Sequence, residues 1–220
     1  DTSLDAASVF AALLRAQGVA VPSVRRSHAR AGSPVVASVQ GDRLDAIVRQ
    51  MMLVSDNDHA EALNRLVAVA SNRPTTWAGA AMAQRVALAR DGITLGSGAL
   101  RDGSGLSRYD RLTTTQLAQV VDNFLEPGQD DLAVLRSGGL PLAGRTGTLR
   151  NRFRSGPARC AAGKIAAKTG SLRDTVSLAG YTRGTDGRLK AFAFVVNYKK
   201  ADSALRQRVD LLAATVTGCY

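Results

Sequence analysis

The sequence predicts an α+β fold in which helices pack on an antiparallel sheet. Helical periodicities dominate the first two thirds of the chain, the three longer strand-like runs fall in the last third, and two of those runs are joined by a turn too short for a parallel crossover. From Leu4 to Ala16 the apolar residues Ala7, Phe10, Ala11 and Leu14 recur at helical spacing, with Gly18 as a stop. A connector from Pro22 to Pro34 follows, and the short apolar run Val35 to Val39 is expected to be a strand. Leu44, Ile47, Val48 and Met51 mark a second helix ending near Val54, and Ala60, Leu63, Val67 and Ala70 predict the buried face of a third. A fourth covers about Thr76 to Ala89, closed by Asp91-Gly92, and a fifth runs from about Thr113 to Phe124. Ile165 to Thr169, Val176 to Thr182 and Leu189 to Tyr198 read as strands, with Thr185-Asp186-Gly187 turning between the last two. Leu189 to Tyr198 is apolar on both alternating faces, the pattern of a strand covered on both sides. Leu205, Val209, Leu212 and Val216 define a closing helix, and the whole chain, 1–220, reads as one domain or most of one.

Composition narrows the classes. Hydrophobic residues at 45% and charged residues at 21% exclude a disordered or low-complexity chain. The apolar stretch Ala191 to Val196 is far short of the roughly 18 residues a membrane-spanning helix needs, so no transmembrane segment is expected. A net charge of +11 would attract nucleic acid, anionic lipid or an acidic polymer. The basic residues are nevertheless scattered in runs no longer than two and aromatics are only 5%, which argues against a nucleic-acid partner. The two cysteines, Cys160 and Cys219, suffice for one disulfide and are too few for a zinc site; buried free thiols weigh equally until the compartment is known. His28 and His59 lack partners at ligand spacing, and neither a metal nor a cofactor is expected.

Two segments carry chemistry. Ser55-Asp56-Asn57 sits between two helices, where its ordinary role is helix capping, and where Asp58 and Glu61 add negative charge to a first turn. Lys168-Thr169-Gly170-Ser171 lies at a strand end, where a lysine is ordinarily a solvated edge charge. Flanking Ala166, Ala167 and Gly170 are small enough for an extended ligand to approach the backbone; a cation followed by two hydroxyls suits a carboxylate, and an open strand edge suits an added peptide strand. Ser104, in Asp102-Gly-Ser-Gly, is either part of a plain turn or a cleft residue.

Together, Ser-Asp-Asn and a later Lys-Thr-Gly form two thirds of the signature of penicillin-recognising serine enzymes. Ser55-Asp-Asn-Asp-His-Ala-Glu-Ala-Leu, Leu100-Arg-Asp-Gly-Ser-Gly-Leu-Ser-Arg, Gly147-Thr-Leu-Arg-Asn-Arg-Phe, Ala167-Lys-Thr-Gly-Ser-Leu and Leu178-Ala-Gly-Tyr resemble the D-alanyl-D-alanine carboxypeptidase/endopeptidase family of the penicillin-binding protein 4 type, from about Leu4 to Cys219. The resemblance implies a transpeptidase/β-lactamase-like fold and an exported cell-envelope enzyme. Its substrates would be peptidoglycan stem peptides, cleaved at D-Ala-D-Ala through an acyl-serine, with β-lactams as inhibitors. On that resemblance Ser55 shuttles a proton to the leaving amine and Asn57 bonds the substrate amide. Lys168, Thr169 and Ser171 receive the carboxylate, Gly170 leaves the strand edge open, and the Ser171 N–H supplies half of an oxyanion hole. An extracytoplasmic location would also imply a Cys160–Cys219 disulfide.

The family's nucleophile lies in Ser-x-x-Lys, and no serine stands three residues before any of the five lysines, 164, 168, 190, 199 and 200. In the family that motif precedes a large insertion, so the chain is expected to be the C-terminal portion of such an enzyme, partnered by its N-terminal portion and inactive alone. The sheet is then expected to leave Leu189 to Tyr198 with an open edge or paired with a companion chain. A class A β-lactamase is set aside, because Glu61-Ala-Leu-Asn64 falls on the Ser-Asp-Asn helix rather than on a downstream loop. The competing expectation is a non-catalytic cell-wall or nucleic-acid binding module that keeps the fold.

Overall fold

A computed structural model describes residues 1–28 and 30–219, and the chain divides into two compact units, Asp1–Gly41 and Asp42–Tyr220. The first unit holds helix α1, Thr2–Ala16. Its N-cap Asp1 accepts hydrogen bonds from the Ser3 and Leu4 N–H groups, which would otherwise lack acceptors at a helix start. Val35 to Val39 is not a strand. Val35, Val36 and Val39 lie open to solvent and no ladder forms there, because apolar composition without a pairing edge does not make a strand.

The second unit contains the remaining elements: α2 (Leu44–Val54), α3 (Asn57–Ala70), α4 (Trp77–Arg90), α5 (Thr114–Leu125), β1 (Ile165–Leu172), β2 (Thr175–Arg183), β3 (Leu189–Asn197) and α6 (Ser203–Val216). The strands form an antiparallel sheet in the order β1-β2-β3, with Lys168 opposite Ala179 and Ala179 opposite Ala193. Helix starts follow the capping residues: Thr76 caps α4, Asp202 caps α6, and Thr113 with Gln116 makes a reciprocal capping box on α5.

Alternation along the strands sends side chains to two cores. Ile165, Ala167, Val176, Leu178 and Phe192 pack with Val209, Ala213 and Ala214 of α6 and with Leu149. On the other face Ala166, Ala179, Tyr181 and Ala191 pack under Val121 and Phe124 of α5, where the Phe124 and Tyr181 rings meet edge-on at 6.0 Å. Each large side chain so buried contributes about 1.5–3 kcal/mol. β3 is therefore covered on both faces, as its sequence pattern requires, yet its outer edge takes no partner among the described residues. Cys160 and Cys219 form a disulfide, Cα–Cα 6.0 Å, that ties the chain ahead of β1 to the end of α6.

One buried face differs from expectation. In α3 the inward residues are Asn64 and Ala68, with Glu61 half-buried, whereas Leu66, Val67 and Val69 are exposed. The cause lies in what α3 covers: Glu61 accepts from the Gly103 and Ser104 N–H groups of the adjoining loop, and Asn64 accepts from Gln84 of α4, which also donates to Asp102 O.

Candidate active site

Helix α2 ends at Ser55, whose backbone adopts the left-handed conformation at φ 61°, ψ 52°. A non-glycine residue there carries a conformational cost and turns the chain sharply. The turn starts α3 at once: Asp56 is its N-cap, accepting from the His59 N–H at 3.0 Å and meeting His59 Nδ1 at 2.9 Å. These bonds hold the Asp56 carboxyl below its usual range, the backbone N–H of His59 contributing most. Capping thus falls to Asp56, which leaves the Ser55 hydroxyl free for the cleft. His59 is likewise not a lone histidine, since Asp56 is its partner.

β1 supplies the opposite wall. The Ala143 N–H donates to Ile165 O at 2.9 Å and the Ala167 N–H to Pro141 O at 2.9 Å, so Pro141–Ala143 covers the first half of the outer edge. In an antiparallel ladder alternate residues point their N–H and C=O the same way, so Thr169 and Ser171 also aim theirs outward. Beyond Ala167 no strand covers that edge among the described residues. Gly170 acts differently from expectation. A Cβ there would strike Ser177 Oγ on the sheet face, so the glycine clears the face of the sheet rather than its edge.

Lys168 joins the two walls. Its Nζ donates to Ser55 Oγ at 2.7 Å and to Thr169 O at 2.8 Å, across 113 residues of sequence in the first case. Burial pushes the Lys168 ammonium below the ordinary lysine value. Ser55, Asn57, Ser104, Lys168, Thr169, Gly170 and Ser171 all line one cleft of about 320 Å³, so the structure brings every residue singled out for catalysis or substrate binding to one place. Among the described residues no group of three or more His, Cys, Asp or Glu side chains is placed to hold a metal ion.

Two further contributors were not singled out from the sequence. Thr148 lines the cleft and accepts a hydrogen bond from Thr169 Oγ at 2.9 Å. It is carried by a single tight turn, Gly147–Leu149, docked against the end of α2; Gly147 has φ 53°, and a Cβ there would collide with Leu53 O. Glu61 accepts from the Ser104 N–H at 2.9 Å and from the Gly103 N–H at 3.1 Å, fixing the loop that carries Ser104. A signal for Glu61 exists in the sequence: Asn57, Glu61 and Asn64 recur at spacings of four and three, a polar stripe along one helix face.

A Ser-Asp-Asn turn and a Lys-Thr-Gly strand edge facing one cleft, on an antiparallel sheet under helices, define the class of penicillin-recognising serine enzymes with the transpeptidase/β-lactamase-like fold. The profile of the D-Ala-D-Ala carboxypeptidase 3 (S13) family matches residues 1–216, and the chain belongs to that family. It is 39% identical over 221 residues to the carboxypeptidase DacB of Mycolicibacterium smegmatis, covering 99% of this chain and 46% of that protein. Penicillin-binding protein 4 of Haemophilus influenzae, solved with a β-lactam, superposes with a TM-score of 0.82 at 28% identity, covering 96% of this chain and 50% of that one. The TLA-3 extended-spectrum β-lactamase shares the fold at a TM-score of 0.57 and 14% identity. The chain spans about half the length of the relatives it matches.

Proposed function

We propose that this chain is the C-terminal portion of the catalytic domain of an exported serine D-Ala-D-Ala carboxypeptidase or endopeptidase, acting on peptidoglycan stem peptides. The nucleophilic serine comes from a Ser-x-x-Lys segment outside the chain. The observation that carries the reading is the 2.7 Å bond from Lys168 Nζ to Ser55 Oγ beside an uncovered strand edge.

The chemistry follows from that bond. Because Lys168 donates to Ser55 Oγ, the serine's own proton points elsewhere and is available to the cleft. A peptide laid along β1 hydrogen-bonds to the outward groups of Thr169 and Ser171. Its terminal carboxylate meets the Lys168 field and the Thr169 and Ser171 hydroxyls, and Asn57 bonds its amide. The nucleophile's oxygen attacks the penultimate D-Ala carbonyl as its proton passes to the lysine of Ser-x-x-Lys, the Ser171 N–H stabilises the oxyanion, and Ser55 passes its proton to the departing D-Ala nitrogen as the C–N bond breaks, taking the lysine's proton in return. Water then hydrolyses the acyl-serine, whereas a β-lactam, attacked at its ring amide, stays attached. Export accords with the Cys160–Cys219 bond, which persists in an oxidising compartment. The chain contains no helix long and apolar enough to cross a membrane among the described residues.

Labelled penicillin tests the reading. The product carrying Ser-x-x-Lys is expected to label and the 220-residue chain is not. Labelling of the chain itself would overturn the assignment, and no labelling of the longer product would favour a binding module whose +11 charge attracts an anionic polymer.

A further inference from the structure

We propose that Glu61 is a positioning residue for the reaction assigned above: its carboxylate clamps the Gly103–Leu106 side of the cleft and so sets where Ser104 meets the substrate. The proposal rests on that reading of the function. Ser104, Gly105 and Leu106 line the same cleft as Ser55 and Lys168. They belong to an irregular loop, and a loop holds a cleft wall steady only if something fixes its backbone.

Glu61 does so from α3. Both of its carboxylate oxygens accept from the Gly103 N–H at 3.1 Å, and one accepts from the Ser104 N–H at 2.9 Å. Gly103 is pressed onto the helix so closely that a Cβ would lie 2.6 Å from Ala60 O and from the Asn64 Cβ. Gln84 of α4 donates to Asp102 O at 3.0 Å and also to Asn64 Oδ1, so α3 and α4 grip the loop together. Within the loop the Asp102 carboxylate accepts from the Gly105 N–H at 2.8 Å and the Ser107 N–H at 2.6 Å.

Other carboxylates stand close to Glu61. Facing the same region are Asp102 and Asp110, the latter accepting from the Arg101 N–H at 2.7 Å. Asp110 is pushed up to about 6, by burial first, with Asp102 and Glu61 adding repulsion. A glutamine there would keep one acceptor oxygen and turn a donor NH2 toward the loop, so only the carboxylate offers both oxygens to these two N–H groups, in charge-assisted bonds. Glu61 also lies one helical turn after Asn57, so a single rigid helix sets Asn57 and, through the loop, Ser104.

The test uses the complete enzyme with its Ser-x-x-Lys segment, folded protein being counted by penicillin titration. Glu61→Ala is expected to raise KM for a D-Ala-D-Ala peptide about tenfold with kcat within about threefold. Glu61→Gln, which keeps one acceptor oxygen, should raise KM about threefold. Ser104→Ala raises KM in the wild type and adds little on top of either Glu61 variant, because both act through one contact. Amide exchange at Gly103 and Ser104 should quicken in Glu61→Gln. KM unchanged within twofold, a loss wholly in kcat, or additive effects of Glu61→Gln and Ser104→Ala would overturn the proposal. If Glu61→Ala does not fold, the Glu61→Gln cycle and exchange rates decide. Failure of the wild type to label with penicillin marks instead the failure of the functional reading, and this proposal falls with it.

Discussion

Replacing Lys168 with Ala separates function from stability. The substitution removes the Nζ that donates to Ser55 Oγ at 2.7 Å and to Thr169 O at 2.8 Å. A charge-assisted hydrogen bond contributes about 1.5–3 kcal/mol, and about 1.4 kcal/mol is tenfold, so losing the one to Ser55 slows acylation by roughly tenfold to a hundredfold. Stability moves otherwise. Burial holds the Lys168 ammonium below its usual pKa, so the folded chain binds fewer protons than the unfolded chain between that lowered value and the ordinary lysine value. Stability therefore rises with pH across that window, and the rise disappears in Lys168→Ala. Removing a desolvated cation should leave the thermal midpoint near neutral pH unchanged or higher. The assay is the second-order rate of labelling by fluorescent penicillin in the complete enzyme, with thermal melts of the same samples. Acylation within twofold of wild type, or a slower rate explained by a lower midpoint, would rule out this role for Lys168.

Four further outcomes follow from the same geometry. Ser55→Ala should slow acylation without loosening α3, whereas Asp56→Ala, which removes the cap from the His59 N–H, should cost about 1 kcal/mol in denaturant melts. Arg152→Ala leaves the Asp210 carboxylate, only 5% exposed and paired at 2.6 Å, without its cation, and should cost about 3–5 kcal/mol; a melt shifted by less than 1 kcal/mol would show the pair to be dispensable. Reduction of the Cys160–Cys219 bond, which closes a separation of 59 residues, should lower stability by about 4 kcal/mol on the chain-entropy model, read from melts with and without reductant. Because the Asp110 carboxyl is raised to about 6, the folded state holds an extra proton between about pH 4 and 6; stability should fall as pH rises through that range, and Asp110→Asn should flatten the fall.

The local chemistry of the site is written in short stretches of sequence. Ser55-Asp-Asn between two helical periodicities is a helix end and a helix start, and each is realised through bonds spanning three to five residues. Lys168-Thr-Gly-Ser on a strand is equally local, because alternation is a property of the pleat. The positions of the second to sixth helices followed from periodicity and capping for the same reason.

Which surfaces meet depends on long-range packing. The bond from Lys168 to Ser55 spans 113 residues, and no periodicity encodes it. The inward face of α3 does not follow apolar spacing, which registers hydrophobic burial alone, because this helix covers a polar loop, turns Glu61 toward it and turns Asn64 toward Gln84 of α4. Val35 to Val39 had strand composition but found no ladder, since a strand exists only through its partner. Thr148 reaches the cleft on one short turn that packs against α2 only because Gly147 has no side chain, a contact set by the approach of two backbones. The chemical groups and the elements that carry them are legible in the sequence, because those depend on hydrogen bonds and patterns a few residues long. The cleft, its uncovered strand edge and the loop that Glu61 holds were decided by packing between segments far apart in the chain, where shape and polar satisfaction select one arrangement.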